Sequence, residues 1–254
     1  MRSRRFLIAG AAMILSLGML YAGKKHENEN WMSKPFNKWN MKQVTEVWTN
    51  SAWAVKKDFR GNVSGEHGNY NPNTTGTQGA TLGTDVPQYT FTARLFSAQP
   101  IREAYVRMIE LKYNYDGMTA DKQHALDQKT NVYLGEDVSQ KIVVLLEYGS
   151  NDPNAIRDMN QWFNTQTTET LNQNAYLYSP IAGQLVLEKY FPPSQNGGLG
   201  AQFIFPRTFK GEPVLQPGSE KKMRFQLSWQ PQINQTMYID FDPKDMTYKD
   251  QLAY

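Results

Sequence analysis

His26, His67 and His124, Ser150, a glycine cluster at 197–200 and three aspartates at 240, 242 and 245 are the residues whose types and spacing could do chemistry. Histidine is the usual general base and metal ligand. Here the three stand far apart, none with a His-x-x-x-His partner, so they read as exposed or structural rather than as a zinc set. Gly149-Ser150-Asn151 follows an apolar run, where a nucleophilic serine would sit on a strand-to-helix turn. It lacks the flanking glycines of a nucleophile elbow, and Ser150, Asn151 and Asp152 read more simply as helix caps. Gly197-Gly198-Leu199-Gly200 could cradle a phosphate only with a helix N-terminus after it. A strand follows instead, so a hairpin turn is the better reading.

Asp240 and Asp242 are the remaining catalytic candidates. Two residues apart on a strand, they share a face and could hold a cation between them or act as paired carboxylates. Their alternation with Met237, Ile239 and Phe241 makes that face the solvated side of an antiparallel sheet, the plainer alternative. No cofactor or metal motif accompanies them.

The elements that must position these residues follow from periodicity. Asn40 caps a short helix through Thr49 that presents Trp39, Val44, Val47 and Trp48 as a docking stripe, and Ser51 caps a turn through Lys56. Tyr89, Phe91, Ala93 and Leu95 alternate with polar residues as a half-buried strand. Ser97 and Pro100 open a helix to about Tyr113, with Glu103 and Arg107 four apart on its wet face. Thr119 caps a second helix to about Lys129. Lys141–Tyr148 is a continuous β-branched run, which suits a strand covered on both faces. Asp152 and Pro153 start a third helix that buries Ile156, Met159, Trp162 and Phe163. From Ala175 onward strands dominate, at 175–178, 184–191, 201–206, 223–230 and 236–241. The expected fold class is α+β: a largely antiparallel sheet or sandwich with helices on one side, preceded by an N-terminal signal or anchor helix.

Arg2, Arg4 and Arg5 precede an uncharged run, Phe6–Gly23, which has the form of a secretory signal with Ala22 as the last residue before cleavage. Uncleaved, the run is roughly 18 residues, the short end of what spans a bilayer, and the arginines would keep the N-terminus inside. Either way the expected location is outside the cytoplasm: periplasmic, secreted or membrane-anchored, with membrane contact through Phe6–Gly23 in the anchored case. The expected divisions are 1–22 signal, 23–60 spacer and short helical segment, 61–87 flexible Gly/Asn/Thr-rich loop, and 88–254 α+β body. Asn62 and Asn73 in that loop, and Asn234, head glycosylation sequons that matter only in a glycosylating host.

The formal charge of +3 comes from 27 Lys and Arg against 24 Asp and Glu. Three of the cations sit in the signal, so the body is formally neutral, which argues against a nucleic-acid partner. With no Cys there are no disulfides, thiol nucleophiles or thiolate metal sites; the 6 Trp, 14 Tyr and 12 Phe must supply the burial that holds the body together.

Three stretches carry a resemblance: Lys34-Pro35-Phe36-Asn37-Lys38-Trp39 with Asn50-Ser51-Ala52-Trp53-Ala54, then 97–104 (Ser-Ala-Gln-Pro-Ile-Arg-Glu-Ala), then 241–248 (Phe-Asp-Pro-Lys-Asp-Met-Thr-Tyr). The chain resembles, in these patches, uncharacterised exported bacterial proteins grouped with the GWxTD-domain family, although the Gly-Trp-x-Thr-Asp element itself is absent. The resemblance implies an envelope location and no mechanism. The function expected is a non-catalytic envelope protein, an interaction or assembly component with an envelope partner. The alternative is a glycan hydrolase or carbohydrate-binding protein using exposed carboxylates and aromatics. These differ in whether Trp39, Trp48, Trp53, Trp162 and Trp229 are buried or line an open groove.

Overall fold

Strong alternation in the second half of the chain builds two sheets, and the aromatic residues on their facing sides weld them together. The computed structural model describes residues 31–60, 87–229 and 235–254. In chain order the elements are α1 (Met41–Thr49), β1 (Ala54–Arg60), β2 (Gln88–Leu95), α2 (Gln99–Lys112), α3 (Ala120–Leu134), β3 (Lys141–Ser150), α4 (Pro153–Thr165), α5 (Thr168–Leu171), β4 (Ala175–Ser179), β5 (Gly183–Val186), β6 (Lys189–Phe191), β7 (Ala201–Pro206), β8 (Thr208–Phe209), β9 (Glu212–Pro213), β10 (Met223–Trp229), β11 (Gln235–Phe241), β12 (Thr247–Tyr248) and β13 (Gln251–Leu252). The signal or anchor segment, the loop at 61–86 and the asparagines of the three sequons lie outside the described residues.

The five-stranded sheet runs β1-β2-β3-β7-β6 and the four-stranded sheet β11-β10-β4-β5, with every pairing antiparallel. The mixed α+β class with antiparallel sheets therefore holds. On the inner side of the first sheet, register aligns Phe91 with Tyr148, Leu95 with Val144 and Val144 with Phe203. The second sheet answers with Phe225, Leu227, Trp229, Ile239 and Phe241, all buried. Edge-to-face ring contacts cross the gap: Phe203 to Phe225 at 5.1 Å, Tyr89 to Trp229 at 5.1 Å and Phe91 to Trp229 at 5.6 Å. Such pairs add about 1 kcal/mol each beyond their burial, which helps a chain that has no disulfide.

Helices leave the first sheet at both of its ends. β2 and β3 are antiparallel, so α2, which follows β2, and α4, which follows β3, leave from opposite ends of the sheet. At one end α1 packs on α2, which also touches α3; at the other α4 lies against β3, where Phe163 stacks on Tyr148 at 4.3 Å. The caps behave locally as their residue types dictate: Asn40 and Gln43 form a reciprocal capping box on α1, and the Asp152 carboxylate accepts from Asn154 N at 2.9 Å at the start of α4.

Residues 31–60 pack into the body. β1 pairs with β2 where a turn through Lys56 was expected, and Trp39 and Trp53 are fully buried. The Trp53 indole N–H donates to Ala253 O at 2.6 Å, joining residues near opposite ends of the described chain. Glu103 and Arg107 also depart from expectation: both are buried, because α1 and the β12–β13 hairpin cover the face of α2 that looks wet when the helix is read alone. Arg107 Nε donates to Trp39 O at 2.9 Å and its Nη1 to Glu110 at 2.8 Å. Glu103 accepts from the Tyr248 hydroxyl at 2.5 Å, Lys249 Nζ at 2.8 Å and Gln99 Nε2 at 2.7 Å.

Candidate functional site

The positions that point away from the core on the four-stranded sheet include Tyr176 and Tyr178 on β4, Gln184 and the exposed Val186 on β5, Arg224 and Gln226 on β10, and Tyr238 and Asp240 on β11. Each strand keeps its apolar phase inward, so the outward phase is free to carry polar and amphipathic groups. Register then assembles them in two rows. Tyr178, Arg224 and Asp240 are direct neighbours across three strands, and Tyr176, Gln226 and Tyr238 form the next row along.

Within the first row, Arg224 grips Asp240 with two parallel bonds, Nε to Oδ1 at 2.6 Å and Nη2 to Oδ2 at 3.0 Å. The guanidinium also lies 5.3 Å from the Tyr238 ring centre. Hydrogen bonding from Arg224 holds the Asp240 carboxyl below the usual carboxylate range, outweighing partial burial, with further help from the Arg224 charge, Lys222 and Lys57. The same pairing raises the Arg224 value. The Tyr178 hydroxyl donates to Gln184 Oε1 on β5 at 3.1 Å. Together with Lys221 and Lys222 these side chains line a shallow open groove of about 440 Å³, whose wall residues are Tyr178, Lys221, Lys222, Arg224, Gln226, Tyr238 and Asp240.

The two aspartates weighed as a catalytic pair have separate tasks. Asp240 is bound to Arg224 inside β11. Asp242 lies past the end of the strand, where its Oδ1 accepts from Lys244 N at 3.2 Å and caps a single 3₁₀ turn, Pro243–Asp245. Asp245 is in that turn. A carboxylate kept ionised by a bidentate arginine is a poor proton donor, so the arrangement suits fixed-charge recognition better than general acid catalysis.

The other candidates resolve into structural roles. Ser150 Oγ accepts from Asp152 N at 3.1 Å and Asn151 Oδ1 from Gln88 N at 2.7 Å, so both serve the β3–α4 turn. Gly197, Gly198 and Gly200 all have positive φ and lead into β7. At Gly200 a Cβ would stand 2.5 Å from Leu146 O, so this glycine exists to let β7 approach β3. His124 is exposed on α3; His26 and His67 lie outside the described residues. Among the described residues no cluster of three His, Cys, Asp or Glu could hold a metal, and no helix is long and apolar enough to cross a membrane.

Trp31, Trp39, Trp53 and Trp229 are core residues and Trp48 and Trp162 are partly buried, so the tryptophans do not form an open groove. Tyrosine supplies the exposed aromatic surface instead. The signal in the sequence was the outward phase of three strands, reading Tyr-x-Tyr, Arg-x-Gln and Tyr-x-Asp, and only the strand order brings these together. No family model matches the chain, and comparisons with curated proteins and with solved structures likewise give no match.

Proposed function

We propose that this chain is a non-catalytic exported envelope protein, an interaction or assembly component that recognises its partner through the outer face of the β11-β10-β4-β5 sheet. The observation that carries the reading is the two-row lattice of Tyr, Arg and Gln on that face, since Tyr and Arg are the side chains enriched where surfaces bind. Tyrosine offers a large, stiff, amphipathic contact at small entropic cost. The basic N-terminus and the run Phe6–Gly23 support export, with cleavage at Ala22 or retention as an anchor, and the patches that resemble GWxTD-grouped proteins support an envelope setting.

The alternative, a protein acting on envelope glycans, is favoured in its binding form by Tyr178 and Tyr238 on either side of Arg224 in one groove. Its hydrolytic form is disfavoured by the Asp240–Arg224 pair. Affinity capture of the tagged chain from envelope fractions, with intact mass of the recovered chain, tests the proposal. Recovery of a defined partner that is lost with Tyr238→Ala supports it, and the mass reports whether Phe6–Ala22 has been removed. Recovery alone, or capture indifferent to Tyr238, opposes it.

A further inference from the structure

We infer that the groove on the four-stranded sheet binds an anionic polysaccharide, a polymer of carboxylated sugars; this rests on the reading of the chain as a non-catalytic binder and names its ligand. Three features of the groove converge on that chemistry. Its lining is wholly polar or aromatic, without one aliphatic side chain. A protein partner seated there would have to rest on the tyrosines and the arginine alone. A sugar, by contrast, presents hydroxyls to groups such as Gln226 and the electropositive C–H face of its ring to an aromatic face, whose π cloud is negative.

Charge sets the class of sugar. The body as a whole is formally neutral, yet the groove holds Lys221, Lys222 and Arg224 against the single carboxylate of Asp240. Asp240 is already matched by Arg224. The two lysines are exposed and form no ion pair among the described residues, and Glu220, next to them in sequence, is not part of the lining. Two cations are thus left for a ligand. Arg224 spends Nε and one Nη2 bond on Asp240, so further N–H groups of its five-donor fork remain for a sugar carboxylate.

Geometry sets the length. Tyr178 and Tyr238 stand on β4 and β11, either side of β10 and one row apart along the strands, about 12 Å from each other. That separation suits rings in non-adjacent units of an extended chain crossing the strands obliquely. Because the groove is open rather than enclosed, it accepts the interior of a polymer and not only its end.

The test is direct binding of the full chain to polygalacturonate, with neutral dextran and a sulfated polymer, heparin, as comparators, followed by affinity electrophoresis and calorimetry. Polygalacturonate should bind, dextran should not, and Tyr238→Ala should weaken binding by about tenfold. Lys221→Ala with Lys222→Ala should weaken it several-fold and flatten its salt dependence. Val132→Ala, exposed on α3 and outside the groove lining, is the control and should change nothing. Equal binding of dextran overturns the charge argument. Binding that ignores Tyr238→Ala, or prefers heparin in simple proportion to its charge, reduces the groove to general electrostatic attraction and overturns the site. Absence of polysaccharide binding, with a protein partner still captured through Tyr238, overturns this inference but leaves the interaction reading standing. New reducing ends released from polygalacturonate would instead overturn the non-catalytic reading itself.

Discussion

Glu103→Ala should unlatch the C-terminal hairpin from α2, and the size of the effect can be worked from the contacts. Glu103 is 4% exposed and Tyr248 2%, so the hydroxyl that donates to Glu103 at 2.5 Å has no water to turn to when the carboxylate is removed. A buried donor left without a partner costs about 2 kcal/mol. The Lys249 side chain is 49% exposed, so screening leaves its ion pair worth about 0.5 kcal/mol. The space vacated by the carboxylate adds about 1 kcal/mol. The variant should therefore be about 3–4 kcal/mol less stable. Tyr248→Phe leaves the carboxylate its other two donors and should cost about 1.5–2 kcal/mol. Since the two changes remove one shared bond, the double variant should be no worse than Glu103→Ala by more than about 1 kcal/mol, a coupling of about 1 kcal/mol. Urea unfolding followed by tryptophan fluorescence reads all three, because Trp31 and Trp53 lie 6.0 and 6.3 Å from Tyr248. Single changes that each cost under about 1 kcal/mol and add without coupling would refute the latch.

Other expectations follow from the same coordinates. Gly200→Ala should destabilise by at least about 3 kcal/mol in urea unfolding, since φ is +128° and the new Cβ would press on Leu146 O at 2.5 Å. Burial raises the phenols of Tyr133, Tyr190 and Tyr248, with the Glu103 bond adding to Tyr248, and pushes Tyr148 up to about 12. A phenol held more strongly protonated in the folded state contributes stability that is intact below about pH 10 and lost as pH rises past it. Unfolding midpoints should accordingly be level to pH 9 and fall steeply by pH 11–12, with tyrosinate absorbance rising only as the protein opens. The Asp240–Arg224 pair runs the other way. With its folded value depressed, Asp240 contributes stability above about pH 4 that is lost as pH falls below it, and Asp240→Asn should remove that acid-side slope.

Much of the architecture was legible from alternation alone, because each inner strand face is unbroken: Met223, Phe225, Leu227 and Trp229 could point only one way. The run 184–191 was legible as extended but not as two strands. β5 pairs with β4 in one sheet and β6 with β7 in the other, and period-two patterning carries no record of which neighbour a strand meets. β1 was missed because Ser51 read as the cap of a turn through Lys56, whereas the charges of Lys56, Lys57 and Asp58 suit an edge strand that must resist further pairing. Glu103 and Arg107 looked wet because a helix wheel knows nothing of the hairpin at 247–252 that covers it. The groove was hidden for a related reason. Tyr178, Arg224 and Tyr238 come from three strands separated by up to 60 positions in sequence, and only the order β11-β10-β4 makes them neighbours.

The central claim is that the solvent face of the four-stranded sheet is where this protein meets its partner. Hydroxyl-radical footprinting of the tyrosines, with and without the envelope material that the chain captures, tests it most directly. Tyr176, Tyr178 and Tyr238 should become protected while Tyr113, 49% exposed on the far helical end, keeps its reactivity. Protection of Tyr113 with the three sheet tyrosines unchanged would contradict the account and move the recognition surface to the helices.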